Sequence, residues 1–513
     1  MEQLIQLTEL RERYRSMGGP DAIAKQKKLN KLTVRDRIDL FADKGTFLEF
    51  GLLADHTPFN RDLEGKTAHC DGVVTGTCLV EGRPTALIAY DFTVLAGTMG
   101  EIGERKTKRM RELALKQRIP LVWLLDSAGA RVQEAAGAQF AGTGDLFFEQ
   151  VEASGVVPLV AAVMGPTAAG TSYIAALADY TPMVRGVGSM ALAGPPLVKA
   201  AVGEDITTEE LGGSKVHCQV SGVGDGEFDS DADCILAIRK YLGFFPSHSR
   251  QHPPVRRDVR GLQLAIDDAV LSTVPAEPRK AYDIKKVIEK VVDFGLDWRA
   301  GGFFEIKPDF ARNIVVGFGR VMGHPIGIVA NQPCQMGGAI DVDASDKAAR
   351  FLMTCNAFGI PVVFLHDCPG FIVGSRAEKA GIIRHGAKFL HIVASLTVPK
   401  LSIVIRKSFG AGYYVMCGKG LDPDLIVGWP TAEISLMGAE GAVNIVMKNS
   451  TEEKTSMVKE YKANIGGLLS AKLALIDDLI DPRETRVVLM RALQFCFNKR
   501  PPRPRRKHGV MPV

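Results

Sequence analysis

Paired cysteines are missing from this 513-residue chain: its nine cysteines stand singly at 70, 78, 218, 234, 334, 355, 368, 417 and 496. No Cys-x-x-Cys pair occurs, which argues against a structural zinc ribbon and a disulfide scaffold and fits a reducing compartment. Long apolar runs are missing too, since none reaches the ~18–20 residues a membrane helix needs. The first seven residues, Met1–Leu7, form neither a basic segment nor an apolar run. Glu2, Glu9 and Glu12 are unlike an acid-poor transit peptide. The expectation is a cytoplasmic protein with no membrane insertion. A formal charge of +5 is small for this length and gives no argument for a nucleic-acid partner. Six of the ten residues Lys499–His508 are Lys or Arg. Nothing aromatic interleaves them, so the tail reads as a solvated or partner-docking arm. No Gly-x-Ser-x-Gly elbow surrounds Ser127 or Ser172. No spacing of His, Cys, Asp and Glu suggests a metal, and His217, His366 and His385 read as structural. The glycine-rich run Ala96–Lys106 fits neither a Walker loop nor Gly-x-Gly-x-x-Gly.

What is present is a duplication. The stretch Ile119-Pro120-Leu121-Val122-Trp123-Leu124-Leu125-Asp126-Ser127-Ala128-Gly129 has a partner in Ile360-Pro361-Val362-Val363-Phe364-Leu365-His366-Asp367-Cys368-Pro369-Gly370. Their offset of 241 also pairs Gly82 with Gly323, Pro84 with Pro325, Gly97 with Gly338 and Lys106 with Lys347. Gly170 and Gly412 then match by letter at 242, a slip of one. Anchors at one spacing mean two copies of one unit, in keeping with the domain size expected at this length. In each copy a short apolar strand (Thr85–Tyr90; Ile326–Asn331) precedes a helix (Glu104–Arg118; Ser345–Phe358). A buried apolar run (Leu121–Leu125; Val362–Leu365) follows, the pattern of an α/β fold with buried strands. The expected division is a first domain over 1–240, a Pro- and His-rich linker over 241–283, and a second domain over 284–513.

Each buried run ends in Asp and then Gly, and a second cluster of small residues follows. These are Asp126–Arg131 with Gly165–Thr171, and Asp367–Phe371 with Ser408–Tyr413. Small residues admit a ligand close to the backbone, and amides at a helix start carry partial positive charge. Two such amides aimed at one oxygen would stabilise an enolate. Tight helix-on-sheet packing explains any one cluster; their recurrence at matching places points to two related sites. A helix start beside Lys106 suits the phosphates of a substrate as well as it suits a solvated face.

Several long segments resemble the carboxyltransferase (β) subunits of biotin-dependent acyl-CoA carboxylases of the propionyl-, acetyl- and methylcrotonyl-CoA type. They are Asp126–Glu134, Glu204–Gly213, Ala330–Pro333, Gly381–Lys388, Trp429–Ile434 and Lys507–Pro512, and the likeness runs from about residue 20 to the C-terminus. The resemblance implies two tandem crotonase-like (ββα-superhelix) domains, assembled as a homo-hexamer. The first would bind acyl-CoA and the second biotin. It further implies carboxyl transfer from carboxybiotin to the α carbon of an acyl-CoA, or the γ carbon of an enoyl-CoA, through a thioester enolate. Carried over, the amides of Ala169 and Gly170 would hold the thioester oxygen, and those of Ala411 and Gly412 the ureido oxygen of biotin. Gly129 and Gly370 are further candidates, with Ala130, Arg131, Lys106 and Tyr414 toward the substrate. The family often has Gly-Gly where this chain has Ala128-Gly129 and Ala169-Gly170, so each alanine is expected at negative φ. No Ala-Met-Lys-Met biotinylation sequence occurs, Val446–Asn449 being nearest, and no nucleotide loop. A biotin carboxylase and a biotin carrier are therefore expected as partner subunits. The alternatives are the same subunit in a sodium-pumping acyl-CoA decarboxylase, and a non-catalytic scaffold.

Overall fold

The computed structural model describes residues 1–56, 63–257, 268–446, 451–496, 498–499, 501 and 508–512. Most of the basic arm, the 447–450 stretch and the middle of the expected linker lie outside the described residues. The chain divides into two units, Met1–Gln251 and His252–Val513. The first runs past residue 240 because the helix Asp231–Phe244 buries Ile235, Ile238, Tyr241 and Leu242 within it.

Unit 1 holds eight strands: β1 (Leu48–Phe50), β2 (Val73–Val80), β3 (Arg83–Tyr90), β4 (Leu121–Ser127), β5 (Leu159–Ala168), β6 (Pro182–Val184), β7 (Ser189–Ala191) and β8 (Gly226–Phe228). They run β1-β2-β3-β4-β5-β6-β8 across one sheet, with β7 added beside β5. The β1–β2–β3 end is antiparallel and the rest parallel. Unit 2 repeats the plan with β9 (Phe304–Ile306), β10 (Ile314–Val321), β11 (His324–Asn331), β12 (Val362–Cys368), β13 (Lys400–Phe409), β14 (Leu425–Gly428), β15 (Glu433–Ser435) and β16 (Asp478–Leu479). Even the register repeats. Ala89 pairs Leu124 and Ala330 pairs Leu365, and both sheets shift register just before Ser127↔Thr167 and Cys368↔Ser408. Each unit has its own apolar core, Val73 to Cys218 in one and Val270 to Cys496 in the other.

Both central strands run further than their apolar letters suggest, because the aspartates ending the runs are buried as ions inside the sheet. Asp126 is met by Lys31 Nζ at 2.7 Å, Arg37 Nη1 at 2.9 Å and Gln26 Nε2 at 3.3 Å. Asp367 is met by Arg406 Nε at 2.8 Å, whose Nη1 also donates to the carbonyls of Pro275, Glu277 and Lys280. The place equivalent to Arg406 is Gly165, where a Cβ would sit 1.9 Å from Asp126 Oδ1. One copy thus draws its cations from the N-terminal segment and leaves space at 165, while the other builds the cation into the neighbouring strand. A buried carboxylate needs such partners, since desolvation of an unpaired charge costs several kcal/mol.

The helices also start earlier than expected, at Glu101 (Glu101–Gln117) and Val342 (Val342–Ala357). Glu101 and Glu104 stand favourably in the first turn of one helix, and Asp341 caps the other by accepting from Ala344 N.

Candidate active site

In unit 1, β4 ends at Ser127, whose Oγ accepts from Gly129 N at 3.1 Å. Gly129 has φ +93, and a Cβ there would lie 2.9 Å from Ala168 O and 3.6 Å from Ala169 Cβ. The two small-residue clusters are therefore in contact, at the place where the parallel strands β4 and β5 end. Unit 2 matches. Cys368 Sγ accepts from Gly370 N at 3.3 Å, Gly370 has φ +119, and a Cβ on Gly412 would lie 3.0 Å from Gly370 Cα.

Backbone hydrogen bonding then separates amides that are spent from amides that are open. Ala169 N donates to Ala191 O at 3.0 Å, and Gly129 and Gly370 are tied back as described. Among the described residues, no partner is found for the N–H of Thr171, Gly410 or Gly412, nor for four more, those of Ala130, Gly170, Phe371 and Ala411. Ala130 and Ala411 are exposed, and Gly170 and Phe371 half-buried. All four obey the 241 offset: Ala130 matches Phe371, and Gly170 matches Ala411. Each pair joins the residue after a positive-φ glycine to a residue in the first turn of a short helix, Gly170–Ala176 or Gly410–Val415.

Four expectations need correction. The Gly170–Gly412 slip is one of letters alone: Ala169 and Gly410 share φ near +55 (+54 and +56), so backbone equivalence stays at 241. Ala169 does not adopt negative φ, and its amide is consumed by β7. Lys106 does not face solvent; its Nζ is turned inward to the carbonyls of Cys70 and Val73. Its counterpart Lys347 donates to those of Phe310, Ala311 and Ile314. Burial pulls both ammonium groups down, Lys347 to about 7. Arg131 is 1% exposed and engaged by Asp71, Glu134, Thr98 Oγ1 and Thr98 O, so it clamps the loop and leaves no group for substrate.

Tyr414 is half exposed, at the place matching Tyr173 in unit 1. Tyr173 meets the edge of Phe147 with ring centroids 5.9 Å apart, and a Cβ on Gly170 would be 3.4 Å from Phe147 Cζ. Phe371 and Phe147 escape a reading for small residues. The offset from Ala130 points to the first, and nothing local marks the second. Burial drives His366 down to about 3 and pushes the Cys368 thiol up to about 12. His217 is held by Ser221 Oγ and Met190 O, and His385 by Asp346. Among the described residues no group of three His, Cys, Asp or Glu side chains could hold a metal ion. None of their helices is long and apolar enough to cross a membrane.

Comparison with known proteins adds four findings. The sequence pattern of the carboxyl transferase domain matches residues 25–511. The propionyl-CoA carboxylase carboxyltransferase subunit of Haloferax mediterranei is 40% identical over 520 residues, 100% of this chain and 99% of that one. The methylmalonyl-CoA decarboxylase subunit alpha of Veillonella parvula is 38% identical over 512 residues, with 100% and 99% covered. Among solved structures, transcarboxylase 12S, a hexamer crystallised with methylmalonyl-coenzyme A and methylmalonic acid, superposes with TM-score 0.94 at 37% identity, covering 100% of this chain and 99% of that one.

Proposed function

Because the chain belongs to the carboxyl transferase family, we propose that it moves a carboxyl group between a biotin carrier and an acyl-CoA, with unit 1 receiving the thioester and unit 2 the biotin. The observation that carries this reading is the repeated pair of open backbone amides. In unit 1, Ala130 N–H and Gly170 N–H face the thioester carbonyl oxygen and stabilise it as negative charge develops on loss of the α-proton. In unit 2, Phe371 N–H and Ala411 N–H do the same for the ureido oxygen. Donors already fixed in place need no reorganisation as charge develops, and losing one costs about 10²–10³ in rate. Gly129 and Gly370 turn the amides outward, while Gly412 permits the close approach of its helix to the Gly370 loop. Carboxybiotin, when bound, supplies the transferable carboxyl group and the proton acceptor. The chain positions both partners and keeps His366 neutral. Names of relatives favour a short acyl group of the propionyl kind, and Phe147 beside Gly170 suits a narrow acyl site. A hexameric core served by biotin carboxylase and carrier subunits follows the same relatives.

The likeness to methylmalonyl-CoA decarboxylase favours one second reading, the same chemistry run toward decarboxylation and distinguished by partner subunits. The test is decarboxylation of a panel of carboxylated acyl-CoAs by the purified chain, with and without free biocytin. Biocytin-stimulated turnover, greatest for methylmalonyl-CoA, is expected; none across the panel would overturn the assignment. Gly170→Pro and Ala411→Pro remove one donor each, and thermal melting of each variant separates that loss from misfolding. Each is expected to lower turnover about 10²–10³-fold. Only the first should disturb the acyl-CoA half.

A further inference from the structure

The two sites seat their short helices by different chemistry. In unit 1, Ser172 Oγ donates to Thr167 O at 2.7 Å and lies 3.0 Å from Ala191 O, tying the Gly170–Ala176 helix to β5 and β7. The matching residue in unit 2 is Tyr413, whose hydroxyl is turned away to accept from Lys419 N at 2.9 Å. That strap is therefore missing from unit 2. In its place stands a pair of buried polar side chains. His366 on β12 is fully buried, and its Nδ1 lies 3.0 Å from Ser408 Oγ on β13, also fully buried. Unit 1 has Leu125 and Thr167 at these two places. The imidazole lies 6.4 Å from the Tyr413 ring, centroid to centroid. Burial holds it neutral, opposed in part by the backbone at Met416, the residue ending the Gly410–Val415 helix. Among the described residues the Nε2 of the ring finds no hydrogen-bond partner, so Ser408 is its one polar tie.

We propose that His366 is a positioning residue for the unit 2 site: bonded to Ser408, it fixes the seat of the Gly410–Val415 helix and with it the direction of the Ala411 N–H. The inference rests on the reading of unit 2 as the biotin half. Two neutral polar side chains buried side by side on β12 and β13 carry a desolvation cost that a leucine avoids. What they give in return is a directional contact that apolar packing does not supply.

The test is His366→Leu, which installs the residue unit 1 carries, measured beside Ser408→Ala and His366→Gln. Biocytin-stimulated decarboxylation gives kcat/KM for biocytin and KM for the acyl-CoA separately. Hydrogen exchange of the 409–416 segment reports the helix seat without reference to turnover. His366→Leu is expected to lower kcat/KM for biocytin about tenfold. It should leave the acyl-CoA KM within about twofold and speed exchange across 409–416. Ser408→Ala should move the same quantities the same way, and His366→Gln, which keeps a hydrogen-bonding side chain, should recover most of the loss. Unchanged biocytin kinetics with unchanged exchange, or equal loss in both substrates, would overturn the proposal. Should the leucine variant fail to fold, Ser408→Ala decides alone. A wild-type protein without biocytin-stimulated turnover would overturn the reading of unit 2 and this inference together, whereas a wild-type response untouched by either variant overturns only the role of His366.

Discussion

Ala169 holds φ +54 and ψ −124, a conformation a Cβ disfavours, at a place where its counterpart in unit 2 is glycine. Such strain costs on the order of 1–3 kcal/mol, from which the extra unfolded-state freedom of glycine subtracts about 0.4–1. Ala169→Gly is therefore expected to stabilise the protein by about 1 kcal/mol, read as a rise in denaturant midpoint at constant slope. Turnover should be kept, because the amide at 169 belongs to β7 and not to substrate. The residue scale is also where the sequence is least legible. Lys106 and Arg131 look like surface cations by type, yet their partners, Cys70, Val73 and Asp71, lie more than thirty positions away and become neighbours only in the fold. Likewise, nothing in the letters of Ala169 says that Ala191 will claim its N–H.

At the scale of elements, the letters speak more clearly. Continuous apolar runs ending in Asp marked β4 and β12, and matched glycines marked the turns before them, because burial and positive φ each demand a narrow set of residues. The two buried aspartates show where that reading stops, since equal strand ends are neutralised from unequal directions. Gly165→Ala should accordingly be costly, by at least about 2 kcal/mol, because the methyl would displace Asp126 from Lys31 and Arg37. Thermal melting of the purified variant measures it, and a melting temperature equal to wild type would contradict the packing described. His366 gives β12 an acid sensitivity of its own. Its value falls from 6.5 to about 3 on folding through burial, so the unfolded chain takes up a proton that the folded one refuses. The contribution is fully present above pH 6.5 and is lost as pH falls toward 3. Denaturant titrations across that window should show a shallower acid loss for His366→Leu than for wild type, and parallel curves would refute it.

Over the whole molecule, the duplication was legible where both copies keep one offset through strand, helix and loop, from β2 to β5 and from β10 to β13. The pairing of open amides was not, for it depends on which strands lie side by side. Each unit has a core confined to its own half of the chain. Met1–Gln251 and His252–Val513, produced as separate polypeptides, should each give a cooperative unfolding transition while neither alone transfers a carboxyl group. A half that melts without cooperativity would show that its core is incomplete. The four open amides carry one more consequence. A donor that belongs to the main chain is present whatever side chain is attached, so ordinary codon changes at 130, 170, 371 and 411 leave these N–H groups in place. Only proline erases such a donor. The chain can therefore drift in its letters at those positions while keeping the donors, and what is inherited there is shape rather than residue.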